Sequence, residues 1–139
     1  MSKLDELKEI LYTKNASLVV GYSNGEIKDY YQDKVNDIKN ILQNNEEALN
    51  GASIADKVIG KLAASLLAVA EVKEIYADVI SEYAIPILEE NKIKYEYKTK
   101  VSFIVNKDNT GMCPMENKYK DENDIRKIYL EIIKNYKWY

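Results

Sequence analysis

Hydrophobic and polar positions alternate along this chain with two spacings, helical and strand-like, separated by clear turn residues. Leu4, Leu7 and Leu11 share one helical stripe and Ser2-x-x-Asp5 reads as a capping box, so residues 2–14 are predicted to be a helix. Residues 16–22 are rich in strand formers, Asn24-Gly25 is a hairpin turn signal, and residues 26–31 read as the returning strand. Asp33 is expected to cap a short helix that turns Val35, Ile38, Ile41 and Leu42 inward, followed by a polar connection over 44–52.

Residues 54–69 are apolar almost all round and are predicted to form one buried helix, with Gly60, Ala63, Ala64 and Ala68 small enough to approach a sheet closely. A strand over 72–80 and a helix over 82–91 follow. Residues 94–101 alternate without a break, Tyr95, Tyr97, Thr99 and Val101 facing the core and Lys94, Glu96, Lys98 and Lys100 facing water, the pattern of a strand near a sheet edge. Residues 103–105 suggest a further short strand. Residues 121–136 suggest a closing helix striped by Ile125, Ile128, Tyr129, Ile132, Ile133 and Tyr136. The expected order is α-β-β-α-α-β-α-β-β-α: one α/β domain over residues 1–139, a three-layer sandwich around a mixed sheet of about five strands.

Composition narrows the chemistry. With 46% hydrophobic and 31% charged residues among 139, the chain has the balance of a globular domain, and its longest nearly apolar run, 62–70, is far too short to span a bilayer. The opening residues hold no apolar signal core, so a cytoplasmic location is expected. There is no histidine, and Cys113 is the only thiol. Nucleophile systems that need an imidazole, zinc sites built from His and Cys, and an internal disulfide are thereby excluded. No loop has EF-hand spacing, and neither a metal site nor a cofactor is expected. The net charge of −3 is spread evenly, with eight Lys against ten acidic residues in 1–70 and twelve basic against thirteen acidic residues in 71–139. No basic block offers itself to a phosphate backbone, so no nucleic-acid partner is expected. The twelve tyrosines suit core and interface packing better than a stacking platform for bases. Trp138 and Tyr139 either pack back on the domain or meet another chain, which leaves a homo-oligomer open.

The residues Asp56-Lys57-x-x-Gly60-Lys61-x-Ala63-Ala64, Tyr76-Ala77, Ser81-x-x-Ala84, Asn106 and Thr110-Gly111-Met112-Cys113-Pro114-Met115-Glu116 resemble the family called domain of unknown function 1893, over roughly residues 4–117. Lys107, where arginine is expected, and Pro86, inside an expected helix, depart from the pattern. The resemblance implies a cytidine-deaminase-like fold without the zinc motifs. In zinc deaminases the metal ligands open two helices; the corresponding helices here would open at residues 53–57 and 81–84, where no such ligands stand.

Two helix N-termini without a metal between them would favour an anion, such as a nucleotide-like or other phosphate-bearing small molecule. Asp56, Lys57, Lys61, Ser81, Asn106 and Glu116 are therefore candidate ligand-binding residues, with Lys57 and Lys61 one turn apart on a helix. Each also has a structural reading: Ser53-x-x-Asp56 as a capping box, Ser81 as an N-cap, the lysines as solvated charges, Asn106 as a turn former. Cys113, in a Gly-Met-Cys-Pro turn, is the candidate catalytic residue, with Lys107 the nearest cation in sequence to lower its pKa and Glu116 either a base or a charge that raises that pKa; its structural reading is a small buried hydrophobe. Three classes follow: a binding protein for an anionic ligand, an enzyme using Cys113, and an interaction or structural protein with a vestigial site, which a cleft closed by side chains would favour.

Overall fold

In the computed structural model of the protein, residues 2–32 and 35–135 are described. Helix α1 (Lys3–Thr13) leads into the hairpin β1 (Leu18–Gly21) and β2 (Ile27–Tyr30), then helix α2 (Asn36–Asn44). Strand β3 (Ser53–Ile59), helix α3 (Lys61–Val69), strand β4 (Glu74–Ser81), helix α4 (Ile85–Glu90) and strand β5 (Lys94–Val101) form a continuous β-α-β-α-β unit. Helices α5 (Pro114–Tyr119) and α6 (Ile125–Ile133) close the described chain. The sheet order is β2-β1-β3-β4-β5, with β1 antiparallel to both neighbours and β3, β4 and β5 parallel.

The layers are unequal. Leu4, Leu7 and Leu11 of α1 cover one face of the sheet by packing with Val19, Ala55 and Tyr76. The opposite face, through Leu18, Val20, Ile54, Ile75 and Ala77, joins residues of α2 to α6 in a larger core. This is a three-layer α/β/α sandwich about a mixed five-stranded sheet, as the sequence pattern implied. No helix among the described residues is long and apolar enough to cross a membrane.

Local signals are met at the front of the chain. Ser2 accepts the Asp5 amide at 3.1 Å and starts α1, and Gly25 takes φ +96° at the hairpin turn, a conformation that favours glycine. Asp33 lies outside the described residues, as do Tyr136, Trp138 and Tyr139; α2 starts after Val35 with no side-chain cap.

The main correction concerns residues 54–69, which are not one helix. They form the central strand β3 and then α3, with Gly60 between them. A strand buried on both faces loses its alternation and reads as a continuous apolar run, the same signature as a buried helix. The Ser53-x-x-Asp56 capping box is absent; the Ser53 hydroxyl donates instead to Glu74 across the β3–β4 pair at 2.6 Å. Lys57 and Lys61 are not one helical turn apart, because Lys57 is in the strand and Lys61 in the helix.

Other boundaries move for local reasons. Ser81 ends β4 rather than capping a helix, and α4 opens at Ile85. Pro86 then falls in the first helical turn, where its missing N–H is no loss, so it does not interrupt the helix. Residues 103–105 do not form a strand; a single bridge joins Val105 to Met112 across a loop. The expected helix over 121–136 is α6 alone, capped by Asp124, which accepts the Arg126 and Lys127 amides; the preceding α5 was not foreseen. β5 is an edge strand as expected, but Tyr97 is 42% exposed and does not enter the core.

Ala64 is fully buried in α3. The substitution Ala64→Leu is expected to overpack this layer and lower stability by about 1–3 kcal/mol, read as a shift of the urea midpoint.

Candidate functional site

β3 and β4 run parallel, and the helices that follow them both begin at their carboxyl ends. At this junction the chain places a carboxylate of its own. Glu116, in α5, is 3% exposed. Its Oε1 accepts the Lys61 amide at 2.8 Å and the Ser81 hydroxyl at 2.9 Å, and its Oε2 accepts the Ile104 amide. Four segments meet there: the start of α3, the end of β4, the loop after β5, and α5. The positive end of α3 adds to the attraction, since Lys61 is its first residue.

Gly60 makes the approach possible. A Cβ built there would lie 2.8 Å from Glu116 Oε1 and 3.0 Å from Ile104 Cγ1, so the position requires glycine for space. The sequence marks Gly60 as small but assigns its smallness to helix–sheet contact. The neighbour it accommodates is a carboxylate 56 residues further on.

Lys61 is 5% exposed and its Nζ donates to the Lys120 carbonyl at 2.8 Å. Burial pulls its pKa below the ordinary lysine value, against the opposing pull of Asp121, Glu122 and Glu116. Ser81 is fully buried. Of the sequence-predicted site residues, Lys61, Ser81 and Glu116 thus come together. They do so through Glu116, which accepts the Lys61 backbone amide and the Ser81 hydroxyl, while the Lys61 ammonium turns to Lys120.

The remaining candidates do not join them. Asp56 sits in mid-strand, 5% exposed. Burial is the main cause that pushes its carboxyl up to about 8; the Val58 amide opposes this and the charge of Asp37 adds to it. Asp37, in α2, had no place among the candidates because only the fold brings it near β3. Lys57 is bonded to the Asn15 side chain beside α1. Asn106 makes a turn: its side chain donates to Thr110 Oγ1 and accepts the Thr110 amide, both at 3.0 Å.

Cys113 is half-buried and caps α5 without a side-chain bond. Its amide donates to the Ile104 carbonyl at 2.7 Å and its carbonyl accepts the Asn117 amide at 2.9 Å. The expected general base, Glu116, has both oxygens engaged by Lys61, Ser81 and Ile104. Two surface clefts lie elsewhere. One of about 440 Å³ lies between the hairpin and α2, and one of about 370 Å³ lies beside α6 at Arg126 and Tyr129.

Two outcomes follow from this geometry. Glu116→Ala leaves the buried donors of Lys61 and Ser81 and the half-buried amide of Ile104 without an acceptor; at about 1–3 kcal/mol for each buried donor, the loss should reach several kcal/mol in chemical denaturation, with Glu116→Gln intermediate. Asp56 holds its proton in the folded state up to about pH 8, whereas the unfolded chain releases it near pH 4. Folded protein therefore binds more protons across that window, and stability should fall as pH rises through it. Asp56→Asn should flatten this dependence and raise the urea midpoint above that of the parent protein at pH 8.5.

The chain matches the model of a family described as domain of unknown function (DUF1893) over residues 6–136. Among solved structures it is similar to the crystal structure of a DUF1893 family protein from Thermotoga maritima at 2.70 Å resolution. The two share 28% sequence identity and a TM-score of 0.84, over 98% of this chain and 92% of that one. No curated protein matches it.

Proposed function

The chain belongs to the DUF1893 family, and we propose that this member works as an interaction module rather than through chemistry at the junction of β3 and β4. One observation carries this reading: the Glu116 carboxylate fills the place where an anionic ligand would sit, and it satisfies the Lys61 amide and the Ser81 hydroxyl there. A nucleotide-like phosphate entering the junction would have to displace a buried carboxylate and break its bonds to three other segments. An activated Cys113 would need a free base or a nearby cation, and Glu116 is committed elsewhere. A deaminase-like reading of the fold is supported by α3 and α4 following adjacent parallel strands; on that reading the closed junction is the former reaction centre.

The test is a thermal-shift panel of nucleotides, nucleosides and sugar phosphates at millimolar concentration. A ligand at about 100 times its Kd would add about 2.7 kcal/mol to folding stability, which the melting temperature registers. No shift is expected. A saturable rise with any phosphate-bearing compound, abolished by Ser81→Ala, would overturn the reading in favour of a binding site at the junction.

A further inference from the structure

β5 is the most exposed element of the sheet. β4 is its only hydrogen-bonded neighbour among the described strands, and six of its eight residues are exposed. Its lateral geometry follows from one contact: the Val101 carbonyl accepts the Glu82 amide at 2.8 Å, so Val101 directs its backbone groups towards β4. In a strand the N–H and C=O of one residue point to the same side, and successive residues alternate. Tyr95, Tyr97 and Thr99 therefore also pair inward, while Lys94, Glu96, Lys98 and Lys100 offer their N–H and C=O groups to the open edge.

The side chains divide the same way. Lys98 reaches over the Tyr12 ring at 5.9 Å, which puts the row Lys94, Glu96, Lys98 and Lys100 on the α1 face. Tyr95 donates to Glu89 of α4 at 3.2 Å and stacks with Tyr97, ring centroids 6.4 Å apart, on the other face. Three lysines against one glutamate give the edge a net positive row. Asp78, on the same face, is held by the Tyr12 hydroxyl.

We propose that β5 is a docking edge for an extended acidic segment of another protein, added as a sixth strand. This rests on the interaction-module reading and names its surface. Backbone bonds to the outward groups supply attachment, and of the acidic residues at every second position of the incoming strand three face Lys94, Lys98 and Lys100 and one faces Glu96. The alternate residues lie beside Tyr95 and Tyr97 and are best apolar. Charge selects against a second copy of this chain, because two β5 edges would bring six lysines against two glutamates.

The test uses the full chain and a fluorescent peptide of alternating Glu and Val, seven residues long, followed by anisotropy and by amide hydrogen exchange. Saturable binding is expected, weakened at least tenfold between 50 and 500 mM salt, with slowed exchange at the Lys94, Glu96, Lys98 and Lys100 amides only. Lys98→Pro removes an outward N–H without touching the β4 ladder and should weaken binding at least tenfold. Replacing Lys94, Lys98 and Lys100 together by Glu, all at exposed positions, should abolish it and confer binding to a Lys-Val peptide. No saturable binding, or binding with unchanged exchange on β5, or a dimer that Lys98→Pro dissolves, overturns the proposal. None of these results bears on the closed junction, which the phosphate panel tests separately.

Discussion

A buried carboxylate is tolerable only when every oxygen is answered, and Glu116 is answered three times. Two of its donors are backbone amides and one is a buried hydroxyl, so the arrangement fixes main-chain positions as well as side chains. The loop after β5 has little else to define it, with one isolated bridge and one turn around Asn106. Glu116 ties that loop to the sheet and lets α5 lie against α3. The N-terminus of α3 has an anion in its first turn without any ligand.

The same sandwich carries its charges unevenly. On the side of α2, Asp56 is buried in mid-sheet within range of the Asp37 charge, and its elevated pKa keeps it largely protonated near neutrality. On the side of α1, polar groups stay near the surface: Tyr12 bonds Tyr76 and Asp78, and Lys8 lies over the Tyr76 ring at 4.8 Å. One helix is too narrow to cover five strands. The sheet is therefore thick with core over β1, β3 and β4 and thin at β5.

That imbalance connects fold to function. The carboxyl ends of parallel strands, where ligands commonly bind in α/β sheets, are stopped by the chain's own glutamate. The edge strand β5, which pairs directly with β4, is long, basic and partly aromatic. A junction closed by Glu116 and an exposed β5 edge are the two features on which the proposed interaction module rests.

Much of the fold was written in local pattern. Leu4, Leu7 and Leu11 set α1, Asn24-Gly25 set the hairpin, and the alternation over 94–101 gave both the strand and its place at the edge. Periodicity reports which faces are wet, so it works where an element has one wet face. It failed at residues 54–59, because the first half of that strand is buried on both sides and has no polar face to mark its period. The candidate residues divide in the same manner. Residue types alone leave no imidazole and too few thiols for a His/Cys zinc site, and the resemblance to the DUF1893 family drew in Lys61, Ser81 and Glu116. Only the tertiary structure decided that the Lys61 amide and the Ser81 hydroxyl both serve Glu116, that Asp56 lies within range of the Asp37 charge, and that Gly60 admits a carboxylate. Those contacts join residues tens of positions apart, and a hydrogen bond depends on distance in space, which no spacing along the chain encodes.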